Sequence, residues 1–253
     1  MFGDHGTPLV LAYAAALGGW LLSARVLRSV WPREPRFRFA HPWREVGAAS
    51  LGAIGVLALG QLWIRGIRLP EEGALAPVLG AINQSIIFAP LLLVPAIRRQ
   101  PLTSAWLPRP RIAMRLLVGL VLAAVAVIVY ASLREGADSP FALLGRIWRY
   151  ENLDKMVQVF LEDVAIAIVF VRLSTAIGNA WTVVVVATLF AAAHIPALIS
   201  SGGSPADLAG LLRDAAIGSA VIAVLQRSRD IVWFWCVHYC LDMTQFARIS
   251  GAG

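Results

Sequence analysis

Residues 116–133 read LLVGLVLAAVAVIVYASL, a run without a charged residue or a break in its apolar character. Strands in globular proteins rarely exceed about 10 residues, and a surface helix shows polar positions at every turn, so neither element fits. A helix crossing the hydrocarbon core of a bilayer does fit, because about 30 Å of lipid takes roughly 20 apolar residues. Similar runs recur on both sides. Reading outward at that window places spans at Pro8 to Leu27, Val46 to Ile64, Ala74 to Ile97, Leu116 to Leu133, Met156 to Leu173, Trp181 to Ser200, Leu208 to Gln226 and Ile231 to Ala247.

Composition points the same way: 58% of the 253 residues are hydrophobic, 15% are charged, and the mean hydropathy is +0.72. The sequence therefore predicts an all-α, polytopic membrane helix bundle with about eight transmembrane helices. Residues 1–253 read as a single integral membrane domain, with 156–247 carrying the helices that hold the polar motifs; no length remains for a separate soluble domain. The seventh span is the weakest, since Arg213 and Asp214 stand near its start. Pro77, Pro90 and Pro95 imply a kinked third helix rather than two strands, because an open sheet edge cannot face lipid.

A net charge of +7 and a pI near 10.4 raise the question of nucleic acid. The arginines, however, sit in short loops between apolar runs and read as topology signals, so no nucleic-acid partner is expected. Arg25, Arg28, Arg33, Arg36, Arg38 and Arg44 follow the first span, and Arg98, Arg99, Arg109, Arg111 and Arg115 follow the third. Both loops should be cytoplasmic. Arg172, Arg227 and Arg229 then fall on that side, leaving both termini outside with fewer basic residues: Arg65, Arg68, Arg134, Arg146, Arg149, Lys155 and Arg248. The expected location is integral to a membrane, the bacterial inner (plasma) membrane. The first span lacks a preceding basic stretch and a small-residue cleavage site, and reads as retained. Cys236 and Cys240, four apart in one apolar run, read as small core residues. The loop from Arg134 to Lys155 mixes aromatic, basic and apolar residues, and lies along the membrane surface or serves as an ordinary connector.

Against this background, FLEDVAIAIVF, Phe160 to Phe170, carries two adjacent acids. An ionisable side chain at bilayer depth costs roughly 2.5–3.5 kcal/mol on insertion scales and so faces the bundle interior, with a partner or a task. The second half of the chain holds Glu162, Asp163, His194, Arg213, Asp214, His238 and Asp242. At about 1.5 Å of rise per residue, Glu162 and His194 lie about 9 Å below the outer boundary, Asp242 about 8 Å, and His238 about 6 Å deeper than Asp242. His238 and Asp242 share one helix face. Glu162 and Asp163 are about 100° apart around their axis, so only one points straight into a shared cavity.

A carboxylate beside an imidazole in a partly dry pocket can take a proton from water, and a second histidine can donate to the oxyanion formed on an amide carbonyl. Glu162, His194, His238 and Asp242 are equally a chemically reasonable zinc set, in which metal-bound water is the nucleophile. The acidic pair can also be read as a salt-bridge partner of Arg213, and a lone membrane histidine as a satisfied core residue.

At these residues the sequence resembles the CPBP family of intramembrane proteases, which includes the CAAX prenyl endopeptidases and the bacterial Abi proteins. Its pattern is EExxxR on one helix, FxxxH on the next, and HxxxN or a similar polar ending on a later one. Here FAAAH, Phe190 to His194, matches the second element; HYCLD, His238 to Asp242, stands for the third; and EDVAIA supplies Glu162 and Asp163, with Ala167 where the family has arginine. The resemblance covers Glu162 to Asp242. It implies that Glu162 is the general base, that His194 helps to activate the same water, that His238 and Asp242 occupy the oxyanion side, and that Asp163 supports Glu162 from behind. It also implies metal-free catalysis, with no cofactor. Two departures bear on roles. A carboxylate at Asp242 cannot donate to an oxyanion unless protonated, and can instead orient His238. The missing arginine leaves Asp163 without its cation; Arg213 is the candidate replacement, with a chloride bridge or hydrogen bond as the alternative.

The leading expectation is thus an intramembrane endopeptidase acting on a membrane-anchored or lipid-modified protein or peptide, with C-terminal processing of an exported protein as one such task. The alternatives are a zinc-dependent protease using the same residues, and a non-catalytic scaffold, immunity factor or transporter. Broken helices in corresponding halves, expected of a transporter, are not found, and no glycine-rich phosphate loop is present.

Overall fold

The computed structural model describes residues 6–31, 37–108, 110–134, 138–193, 195–200, 202 and 205–246. In lipid a backbone N–H has no water to bond, so apolar runs close their hydrogen bonds within helices. No strand occurs among the described residues. The elements in order are α1 (Gly6–Val26), α2 (Pro42–Ile64), α3 (Ala76–Ile97), α4 (Ile112–Leu133), α5 (Pro140–Ile147), α6 (Leu153–Ile177), α7 (Asn179–Ala193), α8 (Ile195–Ser200), α9 (Pro205–Ser228) and α10 (Val232–Phe246). Pro90 and Pro95 are both carried inside α3, which continues through them.

Four helices among the described residues are long and apolar enough to cross a membrane: α1, α2, α3 with its preceding turn, and α4. They coincide with the first four expected spans. The other four expected spans fall on α6, on α7 with α8, on α9 and on α10, and none of these combines the length with the apolar composition. The reasons differ. Helix α6 has 25 residues but includes Lys155, Glu162, Asp163 and Arg172; α9 includes Arg213, Asp214 and Arg227. Helices α7 and α10 each run for 15 described residues, about 22 Å of rise. The stretch Trp181 to Ser200, expected as one span, is helical on both sides of position 194, which lies outside the described residues.

Helices α6 and α10 form the centre of the packing. Helix α10 packs chiefly on α4 and also against α6, α5 and α1, while α6 packs on α3, α2 and α7. In α10 the side chains Trp233, Val237, Cys240 and Leu241 are fully buried, and both cysteines are free. Close approach of α4 depends on Gly119, where a Cβ would lie 2.7 Å from the carbonyl oxygen of Trp233. Small residues at such crossings let backbones pack tightly where lipid supplies no hydrophobic drive. The outer surface is apolar: Leu51, Ile54, Leu57 and Ile64 of α2 are exposed, as are Leu117 and Val121 of α4. Such a face is unfavourable in water and suited to lipid.

Buried polar networks tie together one end of the bundle. Arg115 at the start of α4 bonds Asp230 at 2.5 Å and the Val30 carbonyl at 2.6 Å. Trp31 Nε1 and the Val232 N–H also donate to Asp230, at 3.1 and 2.8 Å. Nearby, Glu45 accepts from Arg98 Nε and Gln100 Nε2, each at 2.7 Å, and Gln100 accepts from Arg172. These contacts gather the loops after α1, α3 and α9 and the C-terminal half of α6 at one end, the grouping expected from their arginines.

Candidate active site

The two acids of α6 separate as helical geometry requires, yet both border one cavity of about 310 Å³. Asp163 faces the interior at 1% exposure and meets α10, while Glu162 is half-buried. The Asp163 carboxylate oxygen Oδ1 lies 2.9 Å from Nδ1 of His238. An ionised carboxylate only accepts, so Nδ1 carries the proton of this pair and Nε2 is left as the second functional nitrogen. Asp163 Oδ2 is buried with no hydrogen-bond partner among the described residues. Glu162 Oε1 accepts from Gln158 Nε2 at 2.9 Å, one turn earlier on the same helix.

Helix α10 brings His238 and, one turn on, Asp242 to the same cavity. The carboxylate that holds His238 is Asp163, across the helix junction, rather than Asp242 on its own helix. One face of the imidazole stacks on Phe234, with ring centroids 5.4 Å apart and planes at 30°. Phe234 stacks in turn near Tyr13 of α1, 6.4 Å between centroids. A carboxylate on one nitrogen and an aromatic ring on one face fix the orientation of the imidazole.

His194 lies outside the described residues. Phe190 and Ala191 of α7, earlier in the same motif, line the cavity. Ala167, which takes the place of the motif arginine, is fully buried in the main core. Arg213 of α9 borders the cavity, but its ion pair is with the adjacent Asp214, at 3.3 Å, and its side chain is 46% exposed. The group that faces Asp163 is therefore His238, not Arg213. Among the described residues, no three or more His, Cys, Asp or Glu side chains are grouped to hold a metal ion.

Sequence reasoning passed over Tyr13, Gln158 and Phe234. For Phe234 the signal was present: FWCVH, Phe234 to His238, repeats the FxxxH spacing of Phe190 to His194. Gln158 stands four residues before Glu162, the spacing of facing side chains on a helix. Tyr13 is 149 positions from Glu162 in a featureless apolar span, and no local pattern marks it.

The chain matches no family model, no curated protein and no solved structure. The likeness to the CPBP proteases therefore rests on the motif residues themselves.

Proposed function

We propose that this protein is an intramembrane endopeptidase of the glutamate type, hydrolysing a peptide bond in a membrane-anchored or lipid-modified protein, with C-terminal trimming of an exported protein as its task. One observation carries the reading: Asp163 of α6 and His238 of α10 are in contact at the wall of a cavity that also takes in Glu162 and Asp242. Buried ionisable groups converging from separate helices on one cavity are the usual mark of a working site in a membrane bundle.

In this mechanism Glu162 takes a proton from water as the water oxygen bonds to the scissile carbonyl carbon. His238, protonated on both nitrogens beside the Asp163 carboxylate that accepts from its Nδ1–H, donates from Nε2–H to the oxygen that gains the charge. Glu162 then delivers its proton to the leaving nitrogen as the carbon–nitrogen bond breaks. His194 assists Glu162, and Asp242 tunes His238 by its charge. The proposal includes an eight-span topology in the bacterial inner membrane: α6, α7 with α8, α9 and α10 complete the crossing set, with their polar groups turned inward and both termini outside.

The test is terminal-peptide mass spectrometry on membranes of the native host carrying wild type, Glu162→Gln or His238→Ala at equal abundance. Fragments present with wild type and lost with both variants support proteolysis and name the substrate. Identical fragment sets from folded variants overturn it in favour of a scaffold or transport role.

A further inference from the structure

Three polar side chains of α6 are joined in a line. Lys155 Nζ donates to Gln158 Oε1 at 3.0 Å, and Gln158 Nε2 donates to Glu162 Oε1 at 2.9 Å. Spacings of three and four residues keep all three on one face of the helix, and the rise from Lys155 to Glu162 is about 10 Å. Each of the three residues is half-buried. The line leads from the first turn of α6 to the wall of the cavity that Glu162 borders.

Its direction is set chemically. An ammonium group only donates and an ionised carboxylate only accepts, whereas a primary amide does both, through different atoms. With Lys155 on one side and Glu162 on the other, one orientation of the Gln158 amide satisfies both: oxygen to the lysine, nitrogen to the glutamate. Turning the amide over would set nitrogen against ammonium and oxygen against carboxylate. Among the described residues, the basic side chains that line the cavity are His238 of α10 and Arg213 of α9, and they bond Asp163 and Asp214 respectively. Lys155 instead reaches Glu162 through the amide.

We propose that Lys155 and Gln158 are positioning residues for Glu162: the lysine holds the amide with its nitrogen toward the carboxylate, and that nitrogen holds Oε1. The inference rests on the proteolytic reading, in which Glu162 takes a proton from water, and adds two residues that lie outside the motif. With Oε1 committed to the amide, the proton from water is received on Oε2 and passes from there to the leaving nitrogen. A carboxylate left to rotate would lose that alignment, and a misplacement of about 1 Å at a reacting group can cost about 10²-fold. Neither Lys155 nor Gln158 touches the substrate.

The experiment pulse-labels newly made membrane proteins of the native host and measures how fast the fragments that depend on Glu162 appear, with variants at equal abundance and their Tm recorded in detergent. Glu162→Gln defines the fragment set. Gln158→Leu, similar in size but without a donor, should slow fragment formation about 10- to 100-fold at unchanged Tm. Lys155→Met should slow it about tenfold, the effect of losing one hydrogen bond from a charged group. Lys155→Arg keeps a cationic donor and should retain most of the rate. Lys155→Glu supplies an acceptor, turns the amide oxygen toward Glu162, and should slow cleavage as far as Gln158→Leu does. A merely structural role would not separate arginine from glutamate at equal Tm. If Glu162→Gln leaves every fragment in place, the proteolytic reading falls and this inference with it. Fragments lost in Glu162→Gln but formed at the wild-type rate in Gln158→Leu or Lys155→Glu overturn the positioning role alone. Equal slowing by arginine and glutamate, or a loss of rate that follows a fall in Tm, also overturns it.

Discussion

His238 Nδ1 lies 2.9 Å from Asp163 Oδ1, joining two helices whose contributing residues are 75 positions apart in the chain. The contact commits Nδ1–H to a buried carboxylate and fixes the orientation of the ring. Asp163→Asn keeps the shape but replaces a pure acceptor by an amide, so Nδ1–H is no longer enforced. Cleavage should fall by about 10²- to 10⁴-fold with the fold retained. Turnover of the substrate peptide by reconstituted protein, alongside Tm, checks this.

Glu162 and Arg213 border one cavity but should respond in opposite ways. Glu162→Gln removes the proposed base and should abolish turnover with KM little changed. Arg213→Ala removes a half-exposed side chain paired within its own helix, an interaction of about 0–1 kcal/mol. Turnover and Tm should both stay near wild type. Loss of activity in Arg213→Ala at normal Tm would return that arginine to the catalytic machinery.

Gly119 is where α4 touches α10, and a Cβ there would also lie 2.8 Å from the Trp233 Cα. Backbone cannot yield as a flexible side chain does, so Gly119→Ala should cost about 1–3 kcal/mol. Gly60→Ala, on a part of α2 with open space, should be neutral or slightly stabilising. Thermal unfolding in detergent separates the two.

The Arg115–Asp230 pair is 2% and 0% exposed. Arg115→Met alone leaves a buried carboxylate without its cation and should destabilise by about 3–5 kcal/mol. Adding Asp230→Asn should recover part of that loss, since the remaining polar atom is neutral. Parallel Tm measurements on the single and double variants test the coupling.

The proposed orientation predicts opposite labelling of two exposed positions. With Cys236 and Cys240 replaced by alanine, Ala40→Cys should be protected from an impermeant maleimide in intact cells, and Glu151→Cys should react. The reverse pattern would put both termini in the cytoplasm.

Legibility in the sequence followed how far each signal reaches along the chain. The run at Leu116–Leu133 announces its helix because every position is apolar. Helix α6 is announced as a site for the opposite reason, because Glu162 and Asp163 interrupt such a run. That same interruption keeps α6 from meeting the composition of an ordinary span. The assignment of Asp163 to His238 was hidden, because which of two acids 100° apart faces a neighbour depends on helix rotation, and rotation is set by packing on α3 and α10. Arg213 was offered as the cation for Asp163 on its charge alone, and its ion pair is instead with Asp214, the next residue on the same helix.

Order of synthesis gives the α6–α10 junction a temporal meaning. Asp163 leaves the ribosome 75 residues before His238, and α10, largely enclosed by α4, α6, α5 and α1, has nothing to dock on until they are in place. A chain halted before α10 carries the acids without the imidazole that holds one of them. On the proposed proteolytic reading, the oxyanion donor is therefore missing from the site until α10 docks.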